Sequence, residues 1–250
     1  GAADERWTPP PWLMAHQTTA AQRLGARLAL FRGALLADAP GLGKTYVGLA
    51  LATRYRRSLA LVPASLVSQW RATAQSLGVE LTIVTHEAVS RGARIPAADL
   101  LLVDEAHRFR NPATRRYDGL ARRAPASHLL LLTATPVVNR AADVIHLLRL
   151  FLPDHGLAAF GVGSIERTLA ARAHGELAHA FAALVVARTA EVAAGVRHAM
   201  PAVSDVAVLT APPVPPARLE HLSVAIDGLQ FPSFEIQEAA ALMRLHLYAR

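Results

Sequence analysis

Cysteine is absent from the 250 residues. That excludes disulfides and cysteine-held zinc, and it suits a reducing compartment. Lysine is nearly absent too: all but one of the 26 basic residues are arginine, and the exception is Lys44. No apolar run reaches the roughly 18 residues that a membrane span needs, so no membrane partner is expected. The N-terminus is acidic and proline-rich, unlike a signal peptide. Internal repeats are lacking, and the 11 histidines form no metal-ligand spacing with acids. Acids are in short supply, which leaves a formal charge of +7 and a pI of about 10.8. This balance favours an anionic partner such as nucleic acid and says nothing about the fold. What is plentiful is apolar: 52% of the chain is hydrophobic. The length allows one large domain or one and a half ordinary ones.

The lone lysine sits in Leu35-Leu36-Ala37-Asp38-Ala39-Pro40-Gly41-Leu42-Gly43-Lys44-Thr45. This reads as a short apolar strand, a tight glycine-rich turn and a helix start, the order of a phosphate-binding loop. Gly41 and Gly43, flanking Leu42, let the backbone approach phosphate oxygens closely. The first helical N–H groups and the helix dipole then favour an anion. Lys44 is expected to reach the β- and γ-phosphates of ATP, and Thr45 to offer its hydroxyl to Mg²⁺. A compact ammonium enters a cradle of amides that a planar guanidinium does not. The generic loop begins with glycine, where this chain has Asp38.

The rest of the chain alternates. Helical spacing runs from Trp12 to Phe31, Ser58 to Val62 reads as a strand, and Ser65 is expected to cap a helix reaching about Leu77. Leu81 to Thr85, Asp99 to Asp104 and His128 to Thr133 read as further strands. Helices are expected over Pro112 to Ala124 and from about Asn139 to Phe151. Continuous apolar strands alternating with helices predict an α/β fold: a parallel sheet covered on both faces, with functional residues at the strands' carboxyl ends. Beyond Pro153 the pattern changes. Ser164 to Ala187 is helical and alanine-rich, Ser204 to Thr210 is a candidate strand, the Pro-rich run at 211–216 is a stiff linker, and Phe234 to Tyr248 has helical spacing.

Asp104-Glu105-Ala106-His107 closes an apolar strand about 60 residues after the phosphate loop. A carboxylate there suits Mg²⁺, the role expected of Asp104. Glu105 is expected to orient or activate the attacking water. Arg108, Arg110, Arg115, Arg116, Arg122 and Arg123 cluster just beyond, either as a solvated face or as non-specific phosphate contacts.

With these motifs in order, the chain resembles the first RecA-like lobe of a superfamily 2 helicase. The resemblance is nearest to the Swi/Snf-type DNA-dependent ATPases, and among them to the bacterial branch that includes the RNA-polymerase-recycling ATPase. It spans about Trp12 to Val192. His16-Gln17 resembles the adenine-reading segment, and the family also carries Asp at the position of Asp38. Ala39 stands where an acidic residue is usual, and Pro40 is atypical. Val62-Pro63-Ala64-Ser65 through Trp70, Val84-Thr85-His86-Glu87 and Leu132-Thr133-Ala134-Thr135-Pro136 match further segments, and Asn139 follows as expected. Val185-Val186-Ala187-Arg188-Thr189 resembles a strand with paired arginines, of which only Arg188 is present. The resemblance implies that Gln17 reads adenine and that His107, Thr133 and Thr135 couple the nucleotide to nucleic acid. It also implies that Pro63, Ser65 and Thr85 touch one DNA strand's backbone.

The implied partners are double-stranded DNA, a second RecA-like lobe of the same protein, and RNA polymerase or another complex. The implied location is cytoplasmic, in a bacterium, near the nucleoid. The expected organisation is a flexible arm over 1–11, the ATP-binding lobe over 12–155, a helical extension and connecting strand over 156–210, and over 211–250 a linker that begins the connection to a second lobe. Two other readings stay open: another P-loop NTPase or kinase, and a non-catalytic nucleotide-binding scaffold.

Overall fold

The computed structural model describes residues 7–134, 141–171 and 184–187. Six strands, β1 (Gly33–Leu36), β2 (Ser58–Val62), β3 (Thr82–Thr85), β4 (Leu100–Val103), β5 (His128–Leu132) and β6 (Val185–Val186), form one sheet in the order β3-β2-β4-β5-β1-β6. Every pairing is parallel. Four of these strands, β1, β2, β4 and β5, were expected from their apolar runs, and β3 from its alternation. Burial on both faces makes such runs necessary, and β1, β2 and β4 are buried at every position.

Alternation along each strand divides the core in two. Leu35, Leu61, Leu101, Val103 and Leu131 face a layer that holds Val89, Phe109, Leu120 and Leu147. Ala34, Leu36, Val62, Leu102 and Leu132 face Leu24, Leu28, Leu49 and Trp70. Thus α1 (Ala15–Phe31), α2 (Lys44–Ala52) and α3 (Val67–Ser76) cover one side. The other is covered by α4 (His86–Ser90), α5 (Arg115–Arg123) and α6 (Ala141–Leu148), and α7 (Ile165–Ala170) adds Ile165 to that layer. Gly33 is required where β1 passes α6's exit, because a Cβ there would come within 2.1 Å of the Phe151 ring.

Two expectations change. Ser65 does not cap a helix; Ala64–Leu66 forms a one-turn 3-10 helix and α3 starts after it, with Leu66 at the cap position. The proline before the turn holds the chain extended, so the tighter turn forms first. Ser164 to Ala187 is not one helix either. Val185 and Val186 pair with Leu35 and Leu36, since β-branched residues fit beside a buried strand. Ser204 to Thr210, the 211–216 run and Phe234 to Tyr248 lie outside the described residues.

Candidate nucleotide and nucleic-acid site

The carboxyl ends of β4, β5 and β1 lie side by side, and the polar motifs follow them. After β1 the chain turns through Gly41 (φ 83°) and Gly43 (φ 76°) into α2. Such left-handed angles suit glycine. A Cβ on Gly43 would also meet Gln17 Nε2 at 2.3 Å. Gln17 is buried at the start of α1, where its Oε1 accepts from Met14 N–H at 3.1 Å and its Nε2 donates to Leu42 O at 3.3 Å. His16 Nε2 lies 3.3 Å from the same carbonyl. The start of α1 and the glycine-rich loop are therefore joined through Leu42 O.

Lys44 Nζ donates to Asp38 O at 2.9 Å and Ala39 O at 3.3 Å, which aims the ammonium back over the loop. Burial pulls its pKa below the usual lysine value, while the carboxylates of Asp38, Glu105 and Asp104 act in the opposite direction. Thr45 follows in the first turn of α2.

At the end of β4, Asp104 is 8% exposed. Its Oδ2 accepts from Trp70 Nε1 at 2.8 Å and its Oδ1 from Glu105 N–H at 2.9 Å. Burial raises its pKa against the opposing effects of Trp70 and Lys44. Each carboxylate oxygen keeps a further lone pair. A hard oxygen ligand destabilised by burial fits a divalent cation. Among the described residues no group of three or more histidines, cysteines and acids could hold a metal ion. The Trp70 anchor was not foreseen; the signal available was the tryptophan closing the Val62–Trp70 motif.

Glu105 takes φ 47° and ψ 47°, a conformation rare for a residue with a Cβ. Its Oε2 lies 3.2 Å from His107 Nδ1, which is also 3.1 Å from Thr133 Oγ1. Burial lowers the pKa of His107. Thr133 is fully buried, and its N–H donates to Leu36 O at 3.0 Å. One chain of contacts thus runs from the end of β4, across β5, to the last residue of β1 before the loop. Thr135, Pro136, Asn139, Arg188 and Thr189 lie outside the described residues.

The nucleic-acid residues of the sequence reading gather at the ends of β2 and β3. Thr85 caps α4, its Oγ1 accepting from Ala88 N–H at 3.1 Å. Pro63 and Ser65 lie on the turn after β2, where Glu87 Oε2 accepts from Ala64 N–H at 3.1 Å. The other Glu87 oxygen lies 3.8 Å from Arg108. Glu87 therefore ties the loops after β2, β3 and β4, a role unassigned from sequence.

Residues 79–157 match the model of the SNF2-related domain. That stretch includes Thr85, Asp104, Glu105, His107 and Thr133; the phosphate loop precedes it. An uncharacterized ATP-dependent helicase of Bacillus subtilis, YqhH, is 34% identical over 175 residues. The similarity covers 60% of this chain and 30% of that protein, so the chain spans about a third of the relative's length. Among solved structures, the Sulfolobus solfataricus SWI2/SNF2 ATPase core in complex with double-stranded DNA superposes with a TM-score of 0.59 at 18% identity. It covers 98% of this chain and 59% of that one. The fold is RecA-like, and residues 79–157 are similar to the SNF2-related domain. Among the described residues no helix is long and apolar enough to cross a membrane.

Proposed function

We propose that this chain is the first, ATP-binding lobe of a DNA-dependent ATPase that couples hydrolysis to movement along double-stranded DNA. The observation that carries the reading is the run of contacts from Glu105 through His107 to Thr133 and the end of β1. It links the carboxylate meant to act on water to the strand leading into the phosphate loop.

In this reading the Gly41–Lys44 segment holds the phosphates, and the Lys44 ammonium exchanges its carbonyl partners for β- and γ-oxygens. Thr45 and Asp104 hold Mg²⁺, which neutralises charge on the phosphates. Glu105 accepts a proton from the attacking water, and Gln17 reads adenine. His107, Thr133 and Thr135 couple nucleotide state to the backbone contacts of Pro63, Ser65 and Thr85. A second RecA-like lobe of the full protein supplies arginines that meet the transferring phosphate. The lobe occupies 12–155, residues 156–210 extend it, and 211–250 begin the connection onward. The motif resemblance favours a cytoplasmic, nucleoid-associated bacterial enzyme of the RNA-polymerase-recycling branch, with RNA polymerase as a candidate partner.

The test is steady-state phosphate release by the full-length protein with and without duplex DNA. Stimulation that disappears in Glu105→Gln, with ATP binding retained, is the expected result. Turnover indifferent to DNA would falsify the translocase reading in favour of a simple NTPase. No turnover at all would leave a nucleotide-binding scaffold.

A further inference from the structure

Away from the strand-end motifs, a groove of about 800 Å³ runs between α5 and the 92–97 loop that follows α4. Arg94, Arg115, Arg122 and Arg123 line it, opposed by the single acid Asp118. Arg122 pairs with Asp118, and Arg123 Nε donates to Pro96 O at 3.2 Å, clasping the loop to the helix. Among the described residues Arg94 and Arg115 have no ion-pair partner, and both are exposed. The floor is tight: a Cβ on Gly119 would sit 3.0 Å from Val89.

We propose that this groove is a second contact surface for the phosphate backbone of nucleic acid, besides the residues at the strand ends. It rests on the nucleic-acid reading above. Four guanidinium groups around one carboxylate, with only Arg122 paired to it, leave a net positive groove that favours an anionic occupant. Guanidinium forks suit phosphate oxygens, which they bind bidentately. Arg115 and Arg122 lie two turns apart on α5, roughly 10.5 Å along its axis. Projected on a duplex axis, where each strand carries one phosphate per roughly 3.4 Å, that is about three steps. An acidic protein segment is the weaker fit. Its docking needs apolar anchors, and Val89 is buried, leaving Ile95 as the main one.

The experiment measures binding of a short fluorescent DNA duplex to this chain by anisotropy across a salt series, with poly-glutamate as a second ligand. Arg94→Gln with Arg115→Gln removes two unpaired charges. It should weaken duplex binding on the order of tenfold at low salt and lower the salt slope by about two. Arg23→Gln with Arg56→Gln makes the same charge change on exposed residues elsewhere and should leave the slope unchanged. Asp118→Asn should strengthen binding. Equal effects of the two double variants, or a silent Asp118→Asn, overturn the groove while duplex binding itself upholds the strand-end reading. Loss of poly-glutamate binding in the groove variant with duplex binding intact overturns it too, and assigns the groove to an acidic protein. No duplex binding by the unaltered chain removes the nucleic-acid reading, and the groove proposal with it.

Discussion

Glu105 holds a left-handed backbone, φ 47° and ψ 47°, that costs a residue with a Cβ about 1–2 kcal/mol. Strain of this kind persists where the surroundings enforce it, here through Asp104 Oδ1 on the Glu105 N–H and through His107. Glu105→Gly is therefore expected to keep or raise stability, by up to about 1 kcal/mol, while removing ATP hydrolysis. Urea melts and phosphate release read the two effects separately. Glu105→Gln should retain Mg²⁺–ATP binding and lose turnover, whereas Asp104→Asn should weaken Mg²⁺ dependence; identical behaviour of the pair would refute the division of roles. Lys44→Ala should abolish nucleotide binding in calorimetry with a stability change within about 1 kcal/mol, since Nζ touches only two loop carbonyls. Lys44→Arg should fail as well. Gly43→Ala meets both a φ of 76° and the Gln17 amide, so it should cost about 1–2 kcal/mol and weaken ATP binding together.

At the scale of elements, α3 is fastened to the end of β4 by one hydrogen bond, Trp70 Nε1 to Asp104. Trp70→Phe keeps most of the apolar packing and removes that donor to a carboxylate. The expected cost is about 1.5–3 kcal/mol in chemical denaturation, accompanied by weaker Mg²⁺-dependent nucleotide binding. A loss of stability with unchanged Mg²⁺ dependence would confine Trp70 to packing. The turn after β4 is latched in a second direction. Arg110 donates to His107 O and lies 3.6 Å from Asp143, His146 meets Arg110 O, and Tyr117 donates to His146 O. These contacts tie α5 and α6 to the Asp-Glu-Ala-His segment. Elements were legible in the sequence where periodicity was strong. The buried strands β2, β4 and β5 announce themselves as unbroken apolar runs, whereas the caps Thr85 and Thr114 came from the structure, the second placing the start of α5 after the expected Pro112. The start of α3 was not legible, and the two-residue β6 was legible only through the resemblance of its segment to a strand, not from its own pattern. A proline-led 3-10 turn and a short strand carry too little local pattern, and β6 exists because β1 offers it a buried edge.

For the whole molecule, folding buries His86 completely against Leu61 O and the edge of Phe109. Burial drives its pKa from 6.5 down to about 4. A base whose pKa falls on folding binds fewer protons in the folded state, so stability is full above pH of about 6.5 and declines as pH drops toward 4. The loss attached to this residue is roughly 3 kcal/mol. Comparing the chain with His86→Gln in urea melts from pH 7 to pH 4 should show the variant's slope shallower by close to one proton; equal slopes would defeat the assignment. Catalysis is also a whole-molecule property. In the proposed reading the loop and both acids belong to one lobe, so this chain alone should bind ATP weakly, hydrolyse it near background without stimulation by duplex DNA, and bind the duplex weakly and salt-sensitively. A positioned arginine is worth roughly 10³–10⁵ in rate in related systems. Robust DNA-stimulated turnover by the 250 residues would contradict that expectation. The amino-acid sequence by itself determined the strand, glycine-rich loop and helix around Lys44, the buried character of the strands and which polar residues stand at their ends. Each of these depends on neighbours a few residues apart. Only the tertiary structure decided that Trp70 meets Asp104, that His107 meets Thr133, and that Thr133 reaches the strand leading to Lys44. Those contacts join residues 34 and 26 positions apart. They follow from the order β4-β5-β1, which packing of the two apolar layers selects and local pattern does not encode.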